Sequence, residues 1–292
     1  MLGHEVDPLG DAPPPRHAIE SDEEEDEYNP LGEQHTPTRT KASVNFKYTS
    51  DHPKPGLPLA VVTGLTAILL PLKPENEKVG EVLMNGIAVG GLYTPSLTSS
   101  LVLASEVGVR LPVWAMNVYA KAILDEFQPS SVFILDTYAA PAYIADSLNA
   151  LPQSAPIRYL RTTAAKSTSK TTLDPARPFA PPNLLQSTTA AFLSILNFGY
   201  PQTPGTAILL PAQHMPHPTP KDLTVSSLNY PSYDHLDEQG WDMELLVRAV
   251  QMILGESVPA DVLLGSMSPK QRVALQGKRA RGTEVGEGGM YI

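Results

Sequence analysis

The sequence predicts an α/β protein, a single-domain layered sandwich in which a mixed and largely parallel sheet is flanked by helices. Three observations carry this. Val132-Phe133-Ile134-Leu135 and Thr206-Ala207-Ile208-Leu209-Leu210 are apolar runs of strand length, the pattern of strands covered on both faces. Trp241 to Leu254 places Leu245, Leu246, Ala249, Val250 and Ile253 on one helical face, with Gly255 to end it. Ala120, Ile123, Leu124 and Phe127 lie at helical spacing between the apolar run 113–118 and the strand at 132, so strand, helix and buried strand read as a parallel crossover unit.

The elements follow in order. Residues 1 to about 42 hold Pro13-Pro14-Pro15 and the acidic run Asp22 to Glu27, with few large apolar residues. Such a segment cannot bury enough surface to offset its chain entropy, so it is expected as a disordered acidic arm. The run itself reads as a solvated tail or as a contact with a basic partner surface. The α/β domain is assigned to residues 43–276. Val44 to Tyr48 alternates apolar and polar, the period of a half-buried strand. Ala60 to Thr63 and Ala67 to Leu70 are apolar and punctuated by Gly64, and Val79 to Tyr93 reads as strand with Gly86, Gly90 and Gly91 at bulges or turns. Pro129-Ser130-Ser131 stops the helix that ends at Phe127. Residues 154–182, rich in Ser, Thr and Pro, read as an irregular surface insertion. Leu184 to Phe198 reads as a helix ended by Gly199 and Pro201, and Ser268-Pro269 opens a last helix to about Lys278.

Composition narrows the chemistry. The 292 residues contain no cysteine, which excludes disulfides, thiolate metal sites, iron–sulfur clusters and a cysteine nucleophile. The net charge of -10 argues against a basic groove for nucleic acid. The amino-terminal segment lacks the cationic and apolar regions of a secretory signal, and the longest apolar runs are broken by Pro58, Pro71, Asn85 and several glycines. The expectation is a soluble protein of the cytosol or nucleus that binds neither membrane nor nucleic acid.

No dinucleotide loop, phosphate-binding loop, nucleophile elbow or zinc-protease helix occurs. His214 and His217 bracket Met215-Pro216; they read as solvated, since a metal site needs three or four ligands. Asp125 and Glu126 are candidate paired carboxylates. Asp136 ends a buried strand, where open α/β sheets place ligands, and reads either as a ligand group or as the cap of a turn before Thr137. Tyr230, Tyr233 and Trp241 read as packing for the entry of the following helix. No active site assembles from these pieces, and the expectation is a protein that is not an enzyme and carries no cofactor.

The C-terminus is the informative feature. Residues 277–289 are glycine-rich and charged, a composition that does not fold, yet they lead to Met290, Tyr291 and Ile292. A flexible tether ending in large apolar residues is the build of a docking peptide, with Tyr291 for a slot, Met290 for adaptable contact and the carboxylate of Ile292 as acceptor. Burying the tyrosine or methionine contributes roughly 1.5–3 kcal/mol, while ordering each residue costs on the order of 1–2 kcal/mol. One tail therefore binds weakly, and a stable complex needs a body contact or a second tail.

The ending resembles the hydrophobic–tyrosine–any-residue (HbYX) motif of proteasome activators and assembly chaperones. The whole chain resembles the fungal-type family of proteasome assembly chaperone 1, in its acidic extension, its α/β body and its tail. Within the body, residues 131–138 resemble a core strand of that family, and 184–210 its late helix–strand unit. The resemblance implies a chaperone for assembly of the 20S core particle that binds the outer face of the alpha-ring. It implies a heterodimer with proteasome assembly chaperone 2 and insertion of Met290, Tyr291 and Ile292 into an intersubunit pocket of that ring, with alpha-ring subunits and core-particle precursors as partners. Two other readings stand beside it: a small-molecule enzyme of phosphorylase-like or hydrolase-like α/β type, and an adaptor whose last residues are a PDZ ligand.

Overall fold

The computed structural model describes residues 42–49, 52–69, 77–96, 98–144, 155–168, 176–215, 218–223, 241 and 243–254. The acidic arm, the helix expected from Ser268 and the tail with Met290, Tyr291 and Ile292 lie outside the described residues.

Among those residues one sheet contains β1 (Val44–Tyr48), β2 (Leu59–Thr63), β3 (Lys78–Met84), β4 (Ile87–Tyr93), β5 (Leu101–Ser105), β6 (Val132–Ala139), β7 (Arg158–Arg161), β8 (Arg177–Pro178) and β9 (Gly205–Ala212). Four α-helices among the described residues accompany it: α1 (Val113–Phe127), α2 (Thr163–Thr168), α3 (Thr188–Gly199) and α4 (Met243–Leu254). The strand order is β1-β3-β4-β5-β2-β6-β9-β7-β8. Strands β5, β2, β6 and β9 form a parallel centre. On one side β4, β3 and β1 continue the sheet antiparallel. On the other, β7 pairs antiparallel with β9 and carries β8 parallel to itself. The mixed α/β class expected from the sequence is the one found, with its parallel pairings concentrated in the centre.

The apolar runs explain that centre. Side chains alternate across a strand, so a run of five feeds two cores at once. Leu59 and Val61 of β2, Ile134 of β6, and Ala207 and Leu209 of β9 face one core, against Tyr119, Ile123 and Leu124 of α1 and Phe192 and Leu196 of α3. Ala60, Val62, Leu135, Ile208 and Leu210 face the other, against Trp241 and Leu246, Ala249, Val250 and Ile253 of α4. Each fully buried aliphatic chain contributes roughly 1.5–3 kcal/mol. The β3–β4 hairpin turns at Asn85-Gly86, whose φ values of 50° and 83° suit the turn that matches strand twist.

Four local readings change. The run 113–118 is not separate from the helix after it but is the first part of α1, which Pro112 precedes at its N-cap. Residues 64–69 form a 3-10 helix, opened by Gly64 at φ +54°. There Thr66 Oγ1 donates to the carbonyls of Thr63 and Leu135 at 2.8 and 2.9 Å, so a polar crossing interrupts what looked like a second apolar strand. Helix α3 starts at Thr188 with Ser187 as its N-cap rather than at Leu184. Finally, the segment 154–182 is not wholly irregular. Its β7 satisfies the outer edge of β9, placing Tyr159 toward the α4 core and Leu160 toward the α1 core. Arginines at both ends of β7 hide that alternation in the sequence.

Candidate functional site

The carboxyl ends of β5 and β6 are where the topology makes room for chemistry. Asp136, the fifth residue of β6, is 9% exposed. Its Oδ1 accepts the Thr137 amide at 2.7 Å, but the strand continues to Ala139, so the turn expected before Thr137 does not form and the carboxylate caps none. Its Oδ2 accepts the hydroxyls of Ser187 at 2.9 Å and Thr189 at 2.7 Å, both from the N-terminus of α3. Helix α3 therefore closes over the sheet end and uses the acceptor capacity of Asp136 for structure. A negative group at a helix N-terminus is also favoured by the helix dipole.

Glu106, which follows β5, enters the same region and was not singled out by the sequence. It is 8% exposed and adopts φ +55°. Its amide donates to the Val89 carbonyl at 2.8 Å, and its Oε1 accepts the Leu111 amide at 2.8 Å ahead of α1. Burial pushes its carboxyl above the usual glutamate range, opposed by contact with Thr188 and the Leu111 amide; the charge of Asp136 adds to the rise and Arg110 opposes it. Beside it, Ser105 Oγ donates to the Tyr119 hydroxyl at 3.1 Å, and burial raises the pKa of that phenol further still. The signal in the sequence was close to the one that marked Asp136: a carboxylate soon after a four-residue apolar run, here Leu101 to Ala104 with Ser105 between.

Asp125 and Glu126 do not form a carboxylate pair. Asp125 faces Lys121, at 2.7 Å, and the hydroxyl of Tyr200. Glu126 accepts the Tyr48 hydroxyl at 2.7 Å and lies 2.9 Å from His52 Nε2. Consecutive helical residues project about 100° apart, which separates their partners. Leu124, Asp125, Gln128, Pro129, Leu196, Tyr200 and Thr203 line a cavity of about 230 Å³, at the end of α1 away from Asp136.

Among the described residues no group of three or more histidine or acidic side chains could hold a metal ion. His214 is exposed, and His217 lies outside the described residues. Trp241 is buried and donates its Nε1–H to the Pro211 carbonyl at 2.6 Å, packing the entry of α4 as the sequence suggested. Tyr230 and Tyr233 lie outside the described residues. Helix α1 leaves Val113, Trp114 and Val118 on its outer side, 63%, 41% and 39% exposed. None of the described helices is long and apolar enough to cross a membrane.

No family model matches the chain, and no curated protein matches it in sequence. Among solved structures it is similar to PbaB of Pyrococcus furiosus, an archaeal proteasome activator, at 10% identity and TM-score 0.48, over 82% of this chain and 97% of that one. It is similar to PbaA of the same organism, an archaeal homolog of proteasome-assembly chaperone, at 12% identity and TM-score 0.47, over 81% and 90%. A PAC2 family protein of Streptomyces avermitilis aligns at 8% identity and TM-score 0.41, over 77% and 96%.

Proposed function

We propose that this chain is a non-enzymatic chaperone for assembly of the 20S proteasome core particle. It binds the outer face of the alpha-ring as a heterodimer with proteasome assembly chaperone 2. It inserts Met290, Tyr291 and Ile292 into a pocket between alpha subunits, where a lysine meets the carboxylate of Ile292.

The observation that carries this reading is the pairing of a glycine-rich tether at 277–289 with Met290-Tyr291-Ile292. The geometry at Asp136 supports it from the other direction. An enzyme reading needs that carboxylate facing substrate, and the hydroxyls of Ser187 and Thr189 fill its Oδ2 instead. Because a single tail binds weakly, the body must contribute. The apolar outer side of α1, with Val113 and Val118, suits the partner subunit of the chaperone pair.

The test is affinity purification with mass spectrometry. Full-length protein should recover alpha subunits, proteasome assembly chaperone 2 and core-particle precursors, in the cytosol or nucleus. Deleting residues 290–292, or Tyr291→Ala, should lower recovery of the precursors about tenfold or more, the equivalent of ~1.4 kcal/mol, while keeping the partner subunit. Recovery of precursors unchanged by truncation would remove the tail from the reading. Recovery of PDZ-domain proteins in place of alpha subunits would favour the adaptor.

A further inference from the structure

Helices α1 and α3 both end at the cavity of about 230 Å³. Leu124 and Leu196, which are fully buried, and Pro129 are its apolar lining. Asp125, Gln128, Tyr200 and Thr203 are its polar lining. The Tyr200 hydroxyl donates to Asp125 Oδ1, and Lys121 Nζ donates to Oδ2 at 2.7 Å. The lysine and then the phenol hold the Asp125 carboxyl below the usual aspartate range, so it is ionised near neutral pH. A carboxylate has about four lone-pair sites, so acceptor capacity remains.

Both helix ends are short of positive charge. Helix α1 ends with Gln128 as its cap, at φ +42°, and Pro129 follows. Helix α3 ends with Tyr200 as its cap, and Pro201 follows. The cap amides donate back to the Leu124 and Leu196 carbonyls at 3.0 and 3.2 Å. The next amide in line would serve the carbonyl of Asp125 in one helix and of Asn197 in the other. In both helices that residue is proline, which has no amide proton. Helix C-termini favour cations, usually from a basic residue in the last turn. Neither last turn contains one, and that of α1 carries Asp125 and Glu126 instead. Two negative helix ends and an ionised carboxylate therefore meet at one cavity.

We propose that this cavity receives the side chain of an arginine from a partner polypeptide. Leu124, Leu196 and Pro129 suit its alkyl stem, and Asp125 accepts from its guanidinium. A guanidinium carries its donors in a planar fork and lies well against an aromatic ring such as that of Tyr200. A lysine ammonium is a point charge and uses this spread of acceptors less fully. The cavity is smaller than the roughly 300–1,000 Å³ of sites that enclose a whole small molecule. It takes a side chain, while the backbone that carries it stays outside. Lys121 competes for Asp125, but an exposed pair at this helical spacing holds weakly. The site stands whether or not the tail docks as proposed above.

The experiment is a titration of the isotope-labelled full chain followed by amide NMR. The probes are acetyl-Gly-Arg-Gly-amide, its lysine and citrulline counterparts, and free arginine. The arginine peptide should shift the amides of Asp125, Gln128 and Thr203 to saturation. The lysine peptide should bind several-fold more weakly, and the citrulline peptide, which is uncharged, more weakly again. Asp125→Asn should weaken the arginine peptide about tenfold or more, with the spectrum away from the cavity unchanged. Lys121→Ala should strengthen it several-fold, because the competitor is gone. The proposal is overturned by the absence of a saturating shift, or by lysine or citrulline peptides that bind as tightly as arginine. Undiminished binding to Asp125→Asn overturns it too, and free arginine binding more tightly than the peptide overturns the polypeptide source. Should Asp125→Asn fail to fold, a Lys121→Ala protein that binds no more tightly than wild type overturns the proposal equally.

Discussion

Gly90 shows how one residue holds three elements together. A methyl group there would stand 2.5 Å from the Tyr119 hydroxyl of α1 and 2.9 Å from a Leu103 methyl of β5. Both neighbours are fully buried, so each would have to shift within the core to make room. Gly90→Ala should therefore destabilise by about 1–3 kcal/mol, read as a lower urea midpoint with an unchanged slope. A midpoint equal to wild type would show that α1 sits less tightly on β4 than the distances say. His52 and Glu126 offer a second residue-scale reading. The hydrogen bond to Glu126 raises the His52 pKa above 6.5, and His52 followed by Tyr48 holds Glu126 below the usual glutamate range. The histidine's contribution is complete below its ordinary value and disappears as pH rises through the raised one. The glutamate's is complete above its ordinary value and is lost as pH falls through the lowered one. The pair therefore stabilises only between those limits, and modestly, because both groups are partly exposed. Histidine ring titration by NMR should place His52 above 6.5, and replacing Glu126 by Gln should return it to the ordinary range.

Among the described residues, helix α4 is the main cover of the second core. Leu246, Ala249, Val250 and Ile253 are buried against the strands, beside Trp241. Leu246→Ala should cost about 2–5 kcal/mol, and calorimetry on the full chain measures it. A loss below about 1 kcal/mol would mean that α4 docks loosely. This helix was legible in the sequence because its 3.6-residue period is unbroken, and β6 and β9 were legible because continuous apolar runs of strand length have few other uses. Strand β7 was not, since Arg158 and Arg161 bracket the two residues, Tyr159 and Leu160, that enter the two cores. The start of α3 was misplaced because Leu184 and Leu185 continue the helical spacing, whereas the N-cap is supplied by Ser187. The buried polar cluster was only half legible. Asp136 stood out at a strand end, but its partners Ser187 and Thr189 lie more than fifty residues away, and nothing local in the sequence pairs them.

At the scale of the molecule, charge is distributed unevenly along the chain. Residues 1–56 carry twelve acidic and five basic side chains, whereas 57–292 carry nineteen and sixteen, so most of the net -10 belongs to the first fifth of the sequence. The remainder is nearly neutral in sequence, and the stability of the described sheet is set by how completely each strand is covered. Strand β2 is buried at all five positions, and β9 at seven of eight. Strand β1 alternates half-buried and exposed residues along its whole length, and both residues of β8 are exposed. Opening a strand that is covered on both faces exposes two cores at once, whereas an edge strand can leave with one face already wet. Native-state hydrogen exchange should therefore rank the amides of β2, β6 and β9 slowest, near the global unfolding free energy. Those of β3 and β4 should follow, and β1 and β8 should exchange by local opening at the lowest cost. Denaturant should accelerate exchange in the central strands with the full slope of global unfolding, and in β1 with a much smaller one. Equal protection in β1 and β2 would mean that the sheet opens as a single cooperative unit, and that coverage by helices does not set the order of its strands.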